Sequence, residues 1–279
     1  MRSVRSALLA VVLLGCQEEE PERPPPLPPC VGATCVPRGG VAPPSSSGGS
    51  GEGAFGGADA GGDAGAGGAN DSLEGSVLEF VDDQFESSVT FTGTATLVAE
   101  GARGGTTTAS WDGADPFQLS GFEQEQGLTW VLVSPAPNRG VLPTLHPVPT
   151  GNVRRADLGL VRTDNLDLIL LLLTVPLERL PERAQLVLRF TDPESTTGGA
   201  EGVRVVSSDA EFISYAVEGT WSDLETATDQ SGLVLLGNLS APPFPGSTKR
   251  LSLAGALTGT LEVRVAAGAV SVVEVAPPR

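Results

Sequence analysis

Ser88-Val89-Thr90-Phe91-Thr92-Gly93-Thr94-Ala95-Thr96-Leu97-Val98-Ala99 is a twelve-residue run that alternates strictly between two kinds of side chain. Val89, Phe91, Gly93, Ala95 and Leu97 fall on one side of an extended chain, and Ser88 with four threonines falls on the other. A period of two with β-branched residues on the polar side predicts a half-buried strand. Comparable runs occur at 128–134, 185–191, 202–207, 211–220, 232–239, 251–265 and 269–275. Clusters of Gly, Pro, Asp and Asn separate them, at 112–113, 135–140, 193–199 and 242–246. Many strands, short connections and no sustained 3.6-residue period predict an all-β fold, an antiparallel β-sandwich or a related closed sheet.

One segment breaks the alternation. Residues 168–175 are apolar on both faces apart from Thr174, and the expectation is a central strand covered on both sides. A short helical turn is expected at 178–183, limited by Pro181. A weak echo between Trp111 with 127–130 and Trp221 with 232–235 leaves open two small β modules within 73–279. Ordinary recurrence of strand and turn patterns explains it as well, because the spacings differ.

Upstream of the β region the composition changes character. Residues 21–29 hold six prolines and predict a stiff polyproline II spacer, 43–53 are rich in Ser and Gly, and 54–70 are almost wholly Gly, Ala and Asp. Such a chain cannot bury enough apolar surface to offset its conformational entropy, so a disordered tether is expected over 16–72. Treated as a flexible coil it spans roughly 40 Å. The Gly/Asp repetition is similar to the calcium-binding repeats of secreted toxins, but it lacks the large apolar residue that fills each turn of their β-roll.

The first fifteen residues carry Arg2 and Arg5, an apolar core from Ala7 to Leu14, and Gly15 just before Cys16. This is the layout of a secretory signal, and its core is far shorter than the ~20 residues of a membrane span. Its end, Leu13-Leu14-Gly15-Cys16, resembles the lipobox of bacterial lipoproteins. That resemblance implies cleavage before Cys16, a diacylglyceryl thioether on its sulfur and acylation of its new amino group. Two or more acyl chains, at roughly 0.8 kcal/mol per buried methylene, hold a protein on a bilayer essentially permanently. The membrane is then a partner through the N-terminal acyl chains, and the lipid at Cys16 is the one group expected to be bound covalently. Gln17, where an aspartate would favour retention at the inner membrane, tilts the expected address toward the outer membrane of a bacterial envelope.

Net charge is −17, and loss of Arg2 and Arg5 with the signal removes two positive charges and leaves −19. Nucleic acid and anionic headgroups are poor partners for such a surface. A membrane-spanning barrel is disfavoured too, since aromatic residues make up 5% of the chain and Tyr215 is the one tyrosine, too few for aromatic girdles. Cys30 and Cys35, bracketed by Pro29 and Pro37, form an even pair in a compartment that permits disulfides. A small ring is expected there, with two free thiols as the alternative. Structural zinc is disfavoured because the chain holds a single histidine, His146.

That histidine, in Leu145-His146-Pro147, would have to serve as base in any Ser/His/Asp arrangement, yet no Gly-x-Ser-x-Gly elbow occurs. A loop or strand-edge histidine without catalytic work is expected. Two acidic turns are weak calcium candidates, Asp112 with Asp115 and Asp164 with Asp167, against turns whose carboxylates cap their own backbone. Glu79, Asp82, Asp83 and Glu86 are expected to form a solvated edge. Trp111, Trp130 and Trp221 could form a sugar-stacking platform, but each lies in or beside an apolar strand, and core positions are expected. No residue is singled out as catalytic. The sequence thus points to an envelope lipoprotein that displays a β domain with a binding or structural role toward an unidentified protein or polymer. A carboxylate-dependent hydrolase of envelope or extracellular polymer and a calcium-stabilised adhesive module are the alternatives.

Overall fold

The computed structural model describes residues 72–100, 105–121, 128–149 and 155–276. Cys16, Cys30, Cys35, the expected signal and the expected tether up to residue 71 lie outside the described residues, and Ser72, the tether's expected last residue, opens a strand. Eighteen strands and one helix occur among the described residues. The strands of the first half are β1 (Ser72–Gly75), β2 (Val77–Phe80), β3 (Ser88–Thr90), β4 (Ala95–Glu100), β5 (Thr106–Trp111), β6 (Phe117–Ser120), β7 (Leu128–Pro135), β8 (Val141–Leu142), β9 (Thr144–Pro149) and β10 (Leu158–Arg162). Helix α1 (Thr163–Leu172) follows, and then β11 (Ala184–Phe190), β12 (Val203–Val206), β13 (Phe212–Val217), β14 (Thr220–Ser222), β15 (Leu233–Leu239), β16 (Ser247–Gly255), β17 (Gly259–Val265) and β18 (Val270–Val275).

The all-β architecture expected from the alternation is what the chain adopts. A nine-stranded open sheet runs β14-β13-β15-β11-β18-β9-β7-β4-β5, and sheets β3-β2-β10-β8, β12-β16-β17 and β1-β6 complete the fold. Pairing is mixed: most neighbours are antiparallel, but β18 lies parallel to both β11 and β9, and β10 lies parallel to β2. Alternate residues of the central strands enter different cores. Leu186, Leu188, Val234 and Leu236 face the β12-β16-β17 side, while Val187, Leu233 and Leu235 face α1. A third core gathers Leu97, Val131 and Val133 of the large sheet with Val77, Leu158 and Leu160 of the smaller one.

Residues 168–175 are not a strand. They lie largely within α1, whose buried side chains are Leu166, Ile169 and Leu170. A short apolar run fits helix and strand equally by periodicity. Here five leucines and a single β-branched residue over 168–173 favour the helix. The strands covered on both faces are instead β11 and β15, each buried along nearly its whole length. The expected helical turn at 178–183 is a β-turn, with Pro181 at its second position and the Arg183 amide donating to the Leu180 carbonyl at 3.0 Å.

Three long runs divide. In 88–99 the alternation holds from Phe91 to Leu97, but β3 pairs with β2 while β4 joins the large sheet. Between them the Phe91 ring folds over Gly93, where a Cβ would lie 2.5 Å from ring carbon Cζ. Residues 211–220 turn back at Glu218-Gly219, both at positive φ, as a two-residue hairpin requires. Residues 251–265 are the β16–β17 hairpin, with Leu253 opposite Gly259.

Glycine opposite phenylalanine recurs as a packing device in a chain poor in aromatics. Gly75 faces Phe117 across β1 and β6, and Gly237 faces Phe212 across β15 and β13. A Cβ on Gly237 would lie 1.7 Å from Phe212 Cε1, so the ring lies flat on bare backbone. Aromatic cover of this kind restores the packing that a strand glycine otherwise lacks.

Candidate functional site

The functional candidates are scattered over the fold. His146 lies on β9, the strand between β18 and β7 in the large sheet, and is 8% exposed. The expectation of a loop or edge position is therefore corrected. Its neighbour Pro147 fits because β18 pairs with β9 only at Thr144 and Leu145, so the proline follows the end of that pairing. Burial pushes the His146 pKa down from 6.5 to about 4, against the opposing pull of the Gly159 carbonyl, 2.7 Å from Nε2. The neutral ring donates from Nε2 to that oxygen and ties β9 to β10. A base working near neutral pH needs a pKa near the working pH, and His146 does not have one.

The calcium candidates do not come together. Asp112 Oδ1 accepts the Ala114 and Asp115 amides at 3.1 and 3.4 Å, a turn in which the carboxylate caps its own backbone. The Ala114 amide, then the Asp115 amide, holds the Asp112 pKa below its ordinary value. Asp164 and Asp167 are on α1 rather than in a loop, and Asp167 pairs with Arg179 at 3.6 Å. Among the described residues no group of three His, Cys, Asp or Glu is placed to hold a metal ion.

The acidic group at 79–86 is not merely a solvated edge. Glu79 accepts from Arg162 at 2.5 Å, and Glu86 accepts from Arg189 at 2.6 Å. Asp82 accepts the Glu86 and Ser87 amides at 3.0 and 2.8 Å. Burial raises the Asp82 pKa, but the hydrogen bonds from Ser87, Glu86 and Gln84 outweigh it and leave the value lowered. The Asp83 carbonyl receives Trp221 Nε1 at 2.9 Å. The loop these residues close carries Phe85 at φ 53°, and its ring packs edge-on against Phe80 and Trp221.

All three tryptophans belong to the cores, with exposures of 2% for Trp111, 7% for Trp130 and 1% for Trp221. None is available as a stacking platform. Trp111 Nε1 donates to the Phe91 carbonyl at 2.9 Å, so its polar end is satisfied inside the fold.

The feature that the sequence reading missed is the outer face of α1. Leu168, Leu171 and Leu172 are 47%, 64% and 48% exposed, and Val175 just beyond the helix is 67% exposed. The signal is present in the sequence, since the run is apolar on every side, but the same pattern fits a strand with two covers. No helix among the described residues is long and apolar enough to cross a membrane.

No family model matches the chain, and no curated protein matches it. Among solved structures it is similar to the Bacillus anthracis TIE protein, with 11% sequence identity and a TM-score of 0.23, over 74% of this chain and 34% of that one. The chain thus spans about a third of that structure's length, and a likeness at this score carries no argument about fold or activity.

Proposed function

We propose that the chain is a bacterial envelope lipoprotein, anchored by acyl chains on Cys16 and displaying its β domain on a tether, with a binding role. The observation that carries this reading is the convergence at one place of a basic start, a short apolar core, Gly15 and Cys16, in a pattern that resembles a lipobox. The order of the remaining parts supports it: a Pro, Gly and Ser-rich stretch follows the cysteine, and a many-stranded domain follows that. The outer-membrane address follows from Gln17 in the same reading.

The domain's perturbed aspartates serve the fold. Among the described residues the five aspartates whose pKa moves, Asp82, Asp112, Asp209, Asp223 and Asp229, all move down. They act as turn caps and ion-pair partners.

The test is fractionation of cells making the parent chain or its Cys16→Ala variant. The parent stays with salt-washed membranes and leaves them only in detergent, while the variant is recovered in the aqueous fraction. A variant that remains with the membranes as fully as the parent would overturn the reading.

A further inference from the structure

The outer face of α1 is an apolar surface with no cover from the described residues. Residues 168, 171 and 172 lie at spacings of three and four, which places them on one side of the helix, opposite the buried Leu166, Ile169 and Leu170. The patch continues off the helix. The Thr174 amide and hydroxyl both donate to Asp223 Oδ1, at 3.0 and 2.7 Å, so Val175 and Leu224 each sit one residue from the same clamp. Leu224 is 74% exposed, the most exposed large apolar side chain among the described residues. Contiguous exposed apolar patches rimmed by polar groups mark interaction sites.

The rim says what kind of partner fits. Asp164 and Asp167 are exposed at the start of the helix, Glu178 and Glu225 are exposed beyond its end, and its last turn holds no basic residue. Arg179 is engaged with Asp167. A second copy would bring the same acids against one another. The chain's own segment 17–71 is a poor cover as well, with eight acids against Arg23 and Arg38 and few large apolar residues. Anionic headgroups meet the same repulsion.

We infer that this face docks a cationic amphipathic segment of another protein, a helix whose leucine-like side chains pack between Leu168, Leu171, Leu172, Val175 and Leu224 while its lysines or arginines meet the acidic rim. The inference specifies the binding role proposed above and rests on it. Helix against helix gives the apolar contact, and charge complementarity sets orientation and association rate.

The test uses the full chain carrying Cys16→Ala, so that docking is measured apart from anchoring. The probe is a fluorescein-labelled 14-residue helical peptide of leucine and lysine, followed by fluorescence polarisation. The parent binds it, and Leu171→Ser with Leu172→Ser weakens binding at least tenfold with the far-ultraviolet circular dichroism and melting temperature retained. Asp164→Asn with Glu225→Gln weakens it too and flattens its salt dependence. Val206→Ser, at an exposed apolar side chain on β12, leaves it unchanged. Failure of the parent to bind overturns the inference, and so does binding that the paired serine substitutions do not change, which would be charge attraction alone. Tighter binding to phosphatidylcholine vesicles than to the peptide, or a dimer in sedimentation that the serine pair dissolves, also overturns it by assigning the face to lipid or to a second copy.

Discussion

Acidification from pH 7 to pH 5 should destabilise the domain through one side chain. His146 has a folded pKa of about 4 against an ordinary 6.5. Between those values the unfolded chain binds a proton that the folded chain refuses, so stability falls as pH falls through this window. The full gap corresponds to about 3 kcal/mol, and the portion lost between pH 7 and pH 5 is about 2 kcal/mol. For a domain of this size that is a drop in Tm of roughly 4–8 °C. The lowered aspartates act in a different window. Their folded pKa values lie below 3.8, so the stability they add is present above that value and is lost only at lower pH.

The assay is a pair of melting curves at pH 7 and pH 5 for the parent and for His146→Gln. The glutamine amide can still donate to the Gly159 carbonyl but does not titrate. The parent should lose the stated stability and the variant very little of it. Because the chain has one histidine, its imidazole resonances can be followed without assignment, and in the native state they should stay unshifted until about pH 4. A native midpoint near 6.5, or an equal fall in Tm for both proteins, refutes the reasoning.

Other tests address packing. Asn238 is 5% exposed and sits at φ 53°; its Oδ1 accepts from Leu180 N and Gln185 Nε2, and its Nδ2 donates to the Glu178 carbonyl and Glu211 Oε2. Asn238→Ala strands those groups and keeps a side chain in a left-handed backbone, so urea unfolding should show a loss of about 3 kcal/mol; a loss under 1 kcal/mol would contradict the network. Gly237→Ala places a Cβ where the Phe212 ring lies and should cost roughly 1–3 kcal/mol. Phe212→Ala should remove most of that cost in a double-mutant cycle, and strictly additive effects would show that the ring and glycine do not touch.

Strands whose side chains alternate or are rich in valine and leucine were legible from the sequence: β7, β11, β15 and β18 fall close to where their patterns put them. Several others were not. Strand β9 reads Thr-Leu-His-Pro-Val-Pro, and its prolines argue against a sheet until one sees that pairing with β18 stops before them. Strand β5 begins with three threonines, and β1, β2 and β8 are too short to show a period. The α1 segment failed for a deeper reason. A run apolar on all sides says that each side wants cover, but not whether the backbone is helix or strand, nor whether the cover comes from the same chain. Asp112 was legible as a turn cap because Asp-Gly carries its own mechanism, whereas the ties from Glu79 to Arg162 and from Glu86 to Arg189 join residues 83 and 103 positions apart. Pairings at such separations are set by the fold and leave no local pattern.

The central claim concerns Cys16, and mass spectrometry of the N-terminal peptide of the membrane-extracted protein tests it most directly. The account predicts a peptide that begins at Cys16, carries a diacylglyceryl thioether and is acylated on its amino group. A mature chain that starts elsewhere, or a Cys16 with no lipid on its sulfur, would contradict it.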